Sequence, residues 1–233
     1  MTRRATGQRY SPRPVLRAGL MAGGALALAA GLEAATYPLW RSWCLTWGTT
    51  GDEAVRTLPG DELLADPDVI STRAIGVDTA PGSIWPWLVQ MGPGRGGAYT
   101  YDWIENLYGL GMHSADQILP QYQDLKVGDG QRLGAAGPLM RVVTLETERA
   151  LVLRSDDGNW AWAFALVPAG QGTRLISRNR IATPGASGLA RALYTYAMEP
   201  GSLIMERKML LGIKQRAERL ARGHDGTDAP AHR

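Results

Sequence analysis

The 233-residue chain has one cysteine, one phenylalanine and three histidines. With Cys44 alone, no intrachain disulfide can form, and its presence says little about compartment. Of the histidines, His224 and His232 lie near the C-terminus, which leaves His113 as the only one inside the body of the chain. A Cys/His cluster for zinc, haem or an iron–sulfur centre therefore cannot be assembled there. No G-x-S-x-G, Walker A or H-E-x-x-H motif occurs, and there is no N-x-[ST] sequon. No loop has the ligand spacing of a calcium or magnesium site. We expect no metal and no cofactor. The shortage of phenylalanine is set against eight tryptophans and eight tyrosines, rings that carry large apolar area with a polar handle.

Charge of one sign is missing from the first seventeen residues. Arg3, Arg4, Arg9, Arg13 and Arg17 have no acidic neighbour there, and the remainder of the chain is slightly acidic although the whole is +3. Such a remainder gives no electrostatic reason for nucleic-acid binding. Behind the arginines, residues 18–40 carry a single charge, Glu33, over a length sufficient to span a bilayer. Tyr37, Trp40, Trp43 and Trp47 follow as an aromatic belt. We read 1–17 as a basic tail and 18–40 as a transmembrane anchor. The arginines then place the N-terminus in the cytoplasm and the following domain outside, as a single-pass membrane protein. A cleaved signal peptide fits the charge and apolar core, but no small-x-small site follows them. A packed Ala/Gly-rich soluble helix is the third reading.

Residues 41–67 read as an interfacial segment and linker, with one helical turn around Asp52–Arg56 and a turn at Pro59-Gly60. The body, residues 68–221, opens on a strand, Ile70–Val77, with Ser71, Arg73, Ile75 and Val77 on one face. Asp78 and Thr79 are positioned to cap a helix whose first turn holds Pro81. Ile84, Trp87, Leu88 and Met91 form its apolar stripe. Gly92-Pro93-Gly94-Arg95-Gly96-Gly97 formally matches G-x-G-x-x-G but follows a helix, so it reads as a mobile pocket-mouth loop instead of a dinucleotide site. A further helix is expected within 98–108, with Tyr101, Ile104 and Tyr108 on one face and Trp103 and Leu107 on another. Ser114 reads as the cap of a short turn at Gln117–Leu119.

Four strands are expected at Met140–Glu146, Ala150–Arg154, Trp160–Val167 and Arg174–Ile181, joined by turns at 156–159 and 169–172. In the third, Trp160, Trp162, Phe164 and Leu166 alternate with Ala161, Ala163 and Ala165. From about Ala186 the chain reads as helical, broken at Glu199-Pro200-Gly201. Ser202 then caps a final helix with a stripe of Leu203, Glu206, Leu210, Ile213, Ala217 and Leu220. Glu206 on that stripe is either a buried functional acid or the partner of Arg178 or Arg180. Residues 222–233 read as a disordered polar tail.

Residues 78–88 have the form D-x-x-P-x-x-I-W-x-W-L after a first strand. With the Trp160–Phe164 stretch and the helix around Met205–Lys214, this resembles the SRPBCC (START-related, polyketide cyclase/dehydrase) superfamily, in its actinobacterial, membrane-anchored type. The resemblance implies an α+β helix-grip fold, a curved antiparallel sheet wrapped on a long C-terminal helix, here behind an N-terminal transmembrane helix. It also implies an internal cavity. Trp87, Trp103, Trp160, Trp162, Leu210 and Ile213 are the expected ligand-lining residues for an apolar small molecule or lipid. An enzyme of the cyclase, dehydratase or isomerase type would draw on Tyr101, Asp102, His113 and Glu206. A structural module with a filled core and no ligand is the remaining alternative. Oligomeric state is not legible in the sequence.

Overall fold

In a computed structural model the structure describes residues 28, 31–32, 35–107, 109–134 and 137–225. The chain divides into two units, Met1–Arg41 and Ser42–Arg233. In the first, the described residues are helical, and the Tyr37 and Trp40 rings meet edge to face at 4.6 Å. Most of the expected anchor, 18–40, lies outside the described residues. Among the described residues no helix is long and apolar enough to cross a membrane.

The second unit is built on six antiparallel strands: β1 (Val69–Val77), β2 (Gly130–Arg132), β3 (Leu139–Glu146), β4 (Ala150–Ser155), β5 (Trp160–Ala169) and β6 (Gly172–Ile181). Their order is β1-β6-β5-β4-β3-β2. The chain returns β6 to pair with β1 along its whole length, Val69 opposite Ile181 and Val77 opposite Thr173. A register shift between Val142 and Thr144 bends β3. The helices are α1 (Gly51–Val55), α2 (Pro81–Val89), α3 (Asp102–Leu107), α4 (Gly188–Leu193) and α5 (Glu199–Asp225). The long α5 packs over β1 and α2, closing one face of the sheet. This is the helix-grip architecture. Strand period two sends Trp160, Trp162, Phe164 and Leu166 toward α5, where Phe164, Leu166, Leu210, Ile213 and Ala217 are buried together.

The opposite face is covered by the stretch read as linker. From Arg174 to Arg180 every second residue of β6 there is an arginine or isoleucine, and the arginines hold residues 48–65. Arg174 pairs with Glu53 at 2.7 Å and donates to the Gly48 carbonyl. Arg178 pairs with Asp61 at 2.6 Å and donates to the carbonyls of Glu53, Ala54 and Arg56. Arg180 donates to the Leu64 carbonyl. The small alanines of β5 leave room for Leu58, which packs with Ala74, Ala165 and Ile176. Arg178 and Arg180 are thus engaged on this outer face, and neither is the partner of Glu206.

Four local expectations change. Ala80, not Asp78 or Thr79, is the N-cap of α2, without a side-chain bond. Asp78 instead accepts Lys214 at 3.3 Å, and the Thr79 carbonyl accepts the Thr173 hydroxyl. Gly92 and Gly97 pair by backbone hydrogen bonds, and Arg95 donates to the Val89 and Tyr122 carbonyls, so this loop is pinned rather than open. The short turn falls at Pro120–Tyr122, after a Ser114 whose hydroxyl donates to Asp102 at 2.6 Å. Finally, Glu199-Pro200-Gly201 does not break the helix. Helical backbone runs from α4 through a π turn, Tyr194–Met198, into α5. Proline in a regular helix lacks a donor and crowds the carbonyl four residues earlier, and the wider π turn takes up that conflict. α5 also continues to Asp225, past the expected start of the tail, and residues 226–233 lie outside the described residues.

Candidate ligand cavity

Between the inner sheet face, the π turn and α5 lies a cavity of about 360 Å³. Its floor is aromatic. The Trp160 and Trp162 rings stack at 5.8 Å with an interplanar angle of 18°, and Phe164 follows Trp162 at 4.9 Å. Both indole N–H groups are engaged by β6: Trp160 donates to Asn179 Oδ1 and Trp162 to Ser177 Oγ, each at 2.9 Å. With their polar edges bonded sideways, the rings turn apolar faces into the cavity. The roof is Met198, Met205 and Met209, unbranched side chains that adapt to an irregular guest.

Behind the floor sits Glu206. Its carboxylate accepts from Arg73, from the Ser177 hydroxyl and from Asn179 at 3.2 Å. Arg73 in turn donates to Ser202 at 3.0 Å and to the Cys44 carbonyl at 3.1 Å. Trp160 and Trp162 are therefore linked through Asn179 and Ser177 to one buried ion pair. Glu206 lines the cavity, but its oxygens are taken by these donors. It holds the floor in place.

Glu105 is the other acid with a role here. It lines the cavity, is only 7% exposed, and its Oε2 is buried without a hydrogen-bond partner among the described residues. Burial pushes the Glu105 carboxyl above the usual range; the Thr100 side chain beside it opposes this, and the charge of Asp102 adds to it. Tyr194, from the π turn, is pushed up to about 12, first by burial and then by Glu199, with Arg73 acting against them. Among the described residues, no lysine or arginine lines the cavity, and no three His, Cys, Asp or Glu groups stand together as metal ligands.

Of the residues expected at the site, Trp160, Trp162 and Glu206 line this cavity. Trp87 is in the core, edge to face with Tyr99 at 5.9 Å, its carbonyl accepting the Tyr99 hydroxyl. Leu210 and Ile213 are fully buried core on α5, away from the cavity lining. Trp103 faces solvent, since α3 is too short to present two opposite faces to the interior. Tyr101 is at the surface and His113 is exposed. Asp102 is occupied with Ser114, accepting from its N–H at 2.8 Å and from its hydroxyl. Tyr108 lies outside the described residues. Ser177 and Asn179 were available from the alternation of β6, because they share a face with Leu175. Glu105 had no signal beyond being an acid beside bulky apolar residues.

A second hollow of about 300 Å³ lies toward β3 and β4, lined by Leu88, Met91, Arg95, Gln131, Met140 and Val142 among others. It has neither the aromatic floor nor the place beneath α5.

No family model matches the chain, and no curated protein matches it. Solved structures are similar to it. Protein MLL2253 from Mesorhizobium loti is 18% identical, with a TM-score of 0.38 over 69% of this chain and 100% of that one. The Polyketide_cyc-like protein Cgl2372 from Corynebacterium glutamicum is 15% identical, with a TM-score of 0.32 over 70% and 96%. The AHSA1-like protein from Aeromonas hydrophila is 15% identical, with a TM-score of 0.35 over 71% and 100%. These likenesses add no weight to the fold, which stands on its own strand order and terminal helix.

Proposed function

We propose that this is a binding domain for an apolar small molecule or lipid, held between the tryptophan floor of β5 and the methionine roof of α5. The observation that supports it is the cavity itself. Its volume of about 360 Å³ falls in the range of small-molecule sites, its walls are mainly aromatic and thioether, and a few polar groups converge on it. A filled structural module is disfavoured by the same volume. We further propose that residues 18–40 anchor the chain in a membrane, N-terminus inside and domain outside. The arginine-rich start and aromatic belt support this, and tethering would raise the local concentration of a lipid ligand.

The test is organic-solvent extraction and mass spectrometry of the purified full chain, beside a Met209→Trp variant that fills the cavity. A stoichiometric apolar compound lost in the variant is the expected result. A compound retained equally in both would belong to the membrane segment and would remove the support for a cavity ligand. For orientation, a C-terminal reporter active only in the cytoplasm would reverse the proposed topology.

Glu105, an acid buried in the cavity wall, also favours a second reading, an isomerase, cyclase or dehydratase. Glu105 would be its proton-moving group, and Glu105→Gln would abolish turnover while sparing ligand binding.

A further inference from the structure

The cavity wall carries three acids, Glu105, Glu199 and Glu206, and no lysine or arginine among the described residues. Glu206 is matched by Arg73 and also accepts from Ser177 and Asn179. Glu105 differs. It is only 7% exposed, and its Oε2 accepts no hydrogen bond among the described residues. The side chain beside it, Thr100, is uncharged, and the charge acting on it is that of Asp102, an acid three residues earlier on α3. Buried charges in folded proteins are paired, and a cation is what this wall lacks. The floor points the same way. The Trp160 and Trp162 N–H groups are bonded to Asn179 and Ser177, so the rings offer the cavity π surface and no donor. Such surface attracts a cation.

We infer that Glu105 and the tryptophan floor receive the nitrogen of an apolar amine, an alkyl- or arylammonium whose hydrocarbon part lies under Met205 and Met209. This rests on the ligand-binding reading above and gives it a ligand class. The result is the same whichever way Glu105 stands before binding. An ammonium that meets the carboxylate pairs with it directly. A free amine that meets the neutral carboxyl takes its proton: the O–H bond breaks, an N–H bond forms on the amine nitrogen, and the same ammonium–carboxylate pair results. The ammonium brings up to three donors, and hydrogen bonds between charged groups are the stronger kind. An alcohol forms a hydrogen bond with Glu105 but no ion pair, and it gains nothing from the π surface. A carboxylate ligand meets three acids and no base.

The experiment uses the full chain in lipid nanodiscs, with empty discs at equal lipid as control. A neutral naphthylamine dye bound in the cavity is displaced by octylamine, octanol or octanoate. Octylamine is expected to displace at about tenfold lower concentration than octanol, and octanoate to be weakest. Glu105→Gln, of the same shape without the charge, should bring octylamine to the level of octanol, with dye binding in the variant reporting that it is folded. Glu105→Asp, which keeps the charge, should retain a preference for the amine. If the dye binds but octylamine displaces it no better than octanol or octanoate, or if Glu105→Gln keeps the full preference, the inference falls and the apolar cavity stands. If neither dye nor compounds bind above the empty discs, both fall.

Discussion

Arg73 on β1 and Glu206 on α5 form an ion pair buried between sheet and helix, with side chains 0% and 7% exposed. It is the polar fastening of the helix-grip. Arg73 also reaches Ser202 and the Cys44 carbonyl, and Glu206 reaches Ser177 and Asn179. Removing one partner leaves a desolvated charge. Glu206→Leu is expected to destabilise the domain by about 3–5 kcal/mol, and the double variant Arg73→Met, Glu206→Leu to recover much of the loss. Denaturant unfolding of the two variants checks this.

α5 touches the chain closely at Gly212. A Cβ there would stand 2.5 Å from the Tyr99 carbonyl oxygen and 2.9 Å from the Tyr99 Cβ. Tyr99 has little freedom to withdraw: its φ is +59° and its hydroxyl is bonded to Trp87. Gly212→Val should lower stability by about 1–3 kcal/mol. A Gly223→Val control on the same helix, where nothing lies within 4 Å, should show only the small propensity change. Thermal melts of the pair separate the two.

The outer-face segment should come loose in acid. Arg174 holds the Glu53 carboxyl below its usual range; burial opposes this, and bonds from the Thr50 backbone and side chain assist it. A lowered folded value means the stabilisation is present above the unfolded carboxyl pKa and is lost as pH falls through the folded one. Backbone amides of residues 50–56 should therefore exchange faster relative to the sheet below about pH 4. Arg174→Ala should show that fast exchange already at neutral pH.

Glu105 has the opposite sign. Its carboxyl is raised by burial, so over the interval between the unfolded and folded values the folded chain keeps a proton that the unfolded chain has lost. Stability contributed by this group falls as pH rises through that interval and then levels off. Glu105→Gln should flatten this part of the profile and leave the domain more stable than the parent at neutral pH. Unfolding free energies measured from pH 4 to 8 would show a parallel offset instead if Glu105 titrated normally.

Local pattern carried much of the fold. Strand alternation in 70–77, 140–146, 150–154, 160–167 and 174–181 was legible because one face of each strand is apolar or small, and the final helical stripe because Leu203, Leu210, Ile213 and Ala217 recur on one face. The expected cap residues failed because a distant contact overrode a local rule: Asp78 is drawn to Lys214 and its N–H donates to Glu218. The break at Pro200 failed for a local reason, the π turn Tyr194–Met198 that carries the helix through it. At the site, Trp160 and Trp162 were readable from their alternation with alanines. Trp87, Leu210 and Ile213 shared the same apolar character, and only packing set them outside the lining of this cavity.

The sequence by itself determined the strand and helix periods, the scarcity of cysteine and histidine, the aromatic inventory and the division between a basic apolar start and a near-neutral body. These follow from residue type and short-range spacing. The tertiary structure decided which acid meets which base, because β1 and α5, like α1 and β6, are far apart in sequence: Glu206 with Arg73 is separated by 133 positions and Arg174 with Glu53 by 121. It also decided that Glu105 points inward while Trp103 points out. A six-residue helix has no stripe strong enough to fix its own rotation, so the walls around it set which side chain enters the cavity.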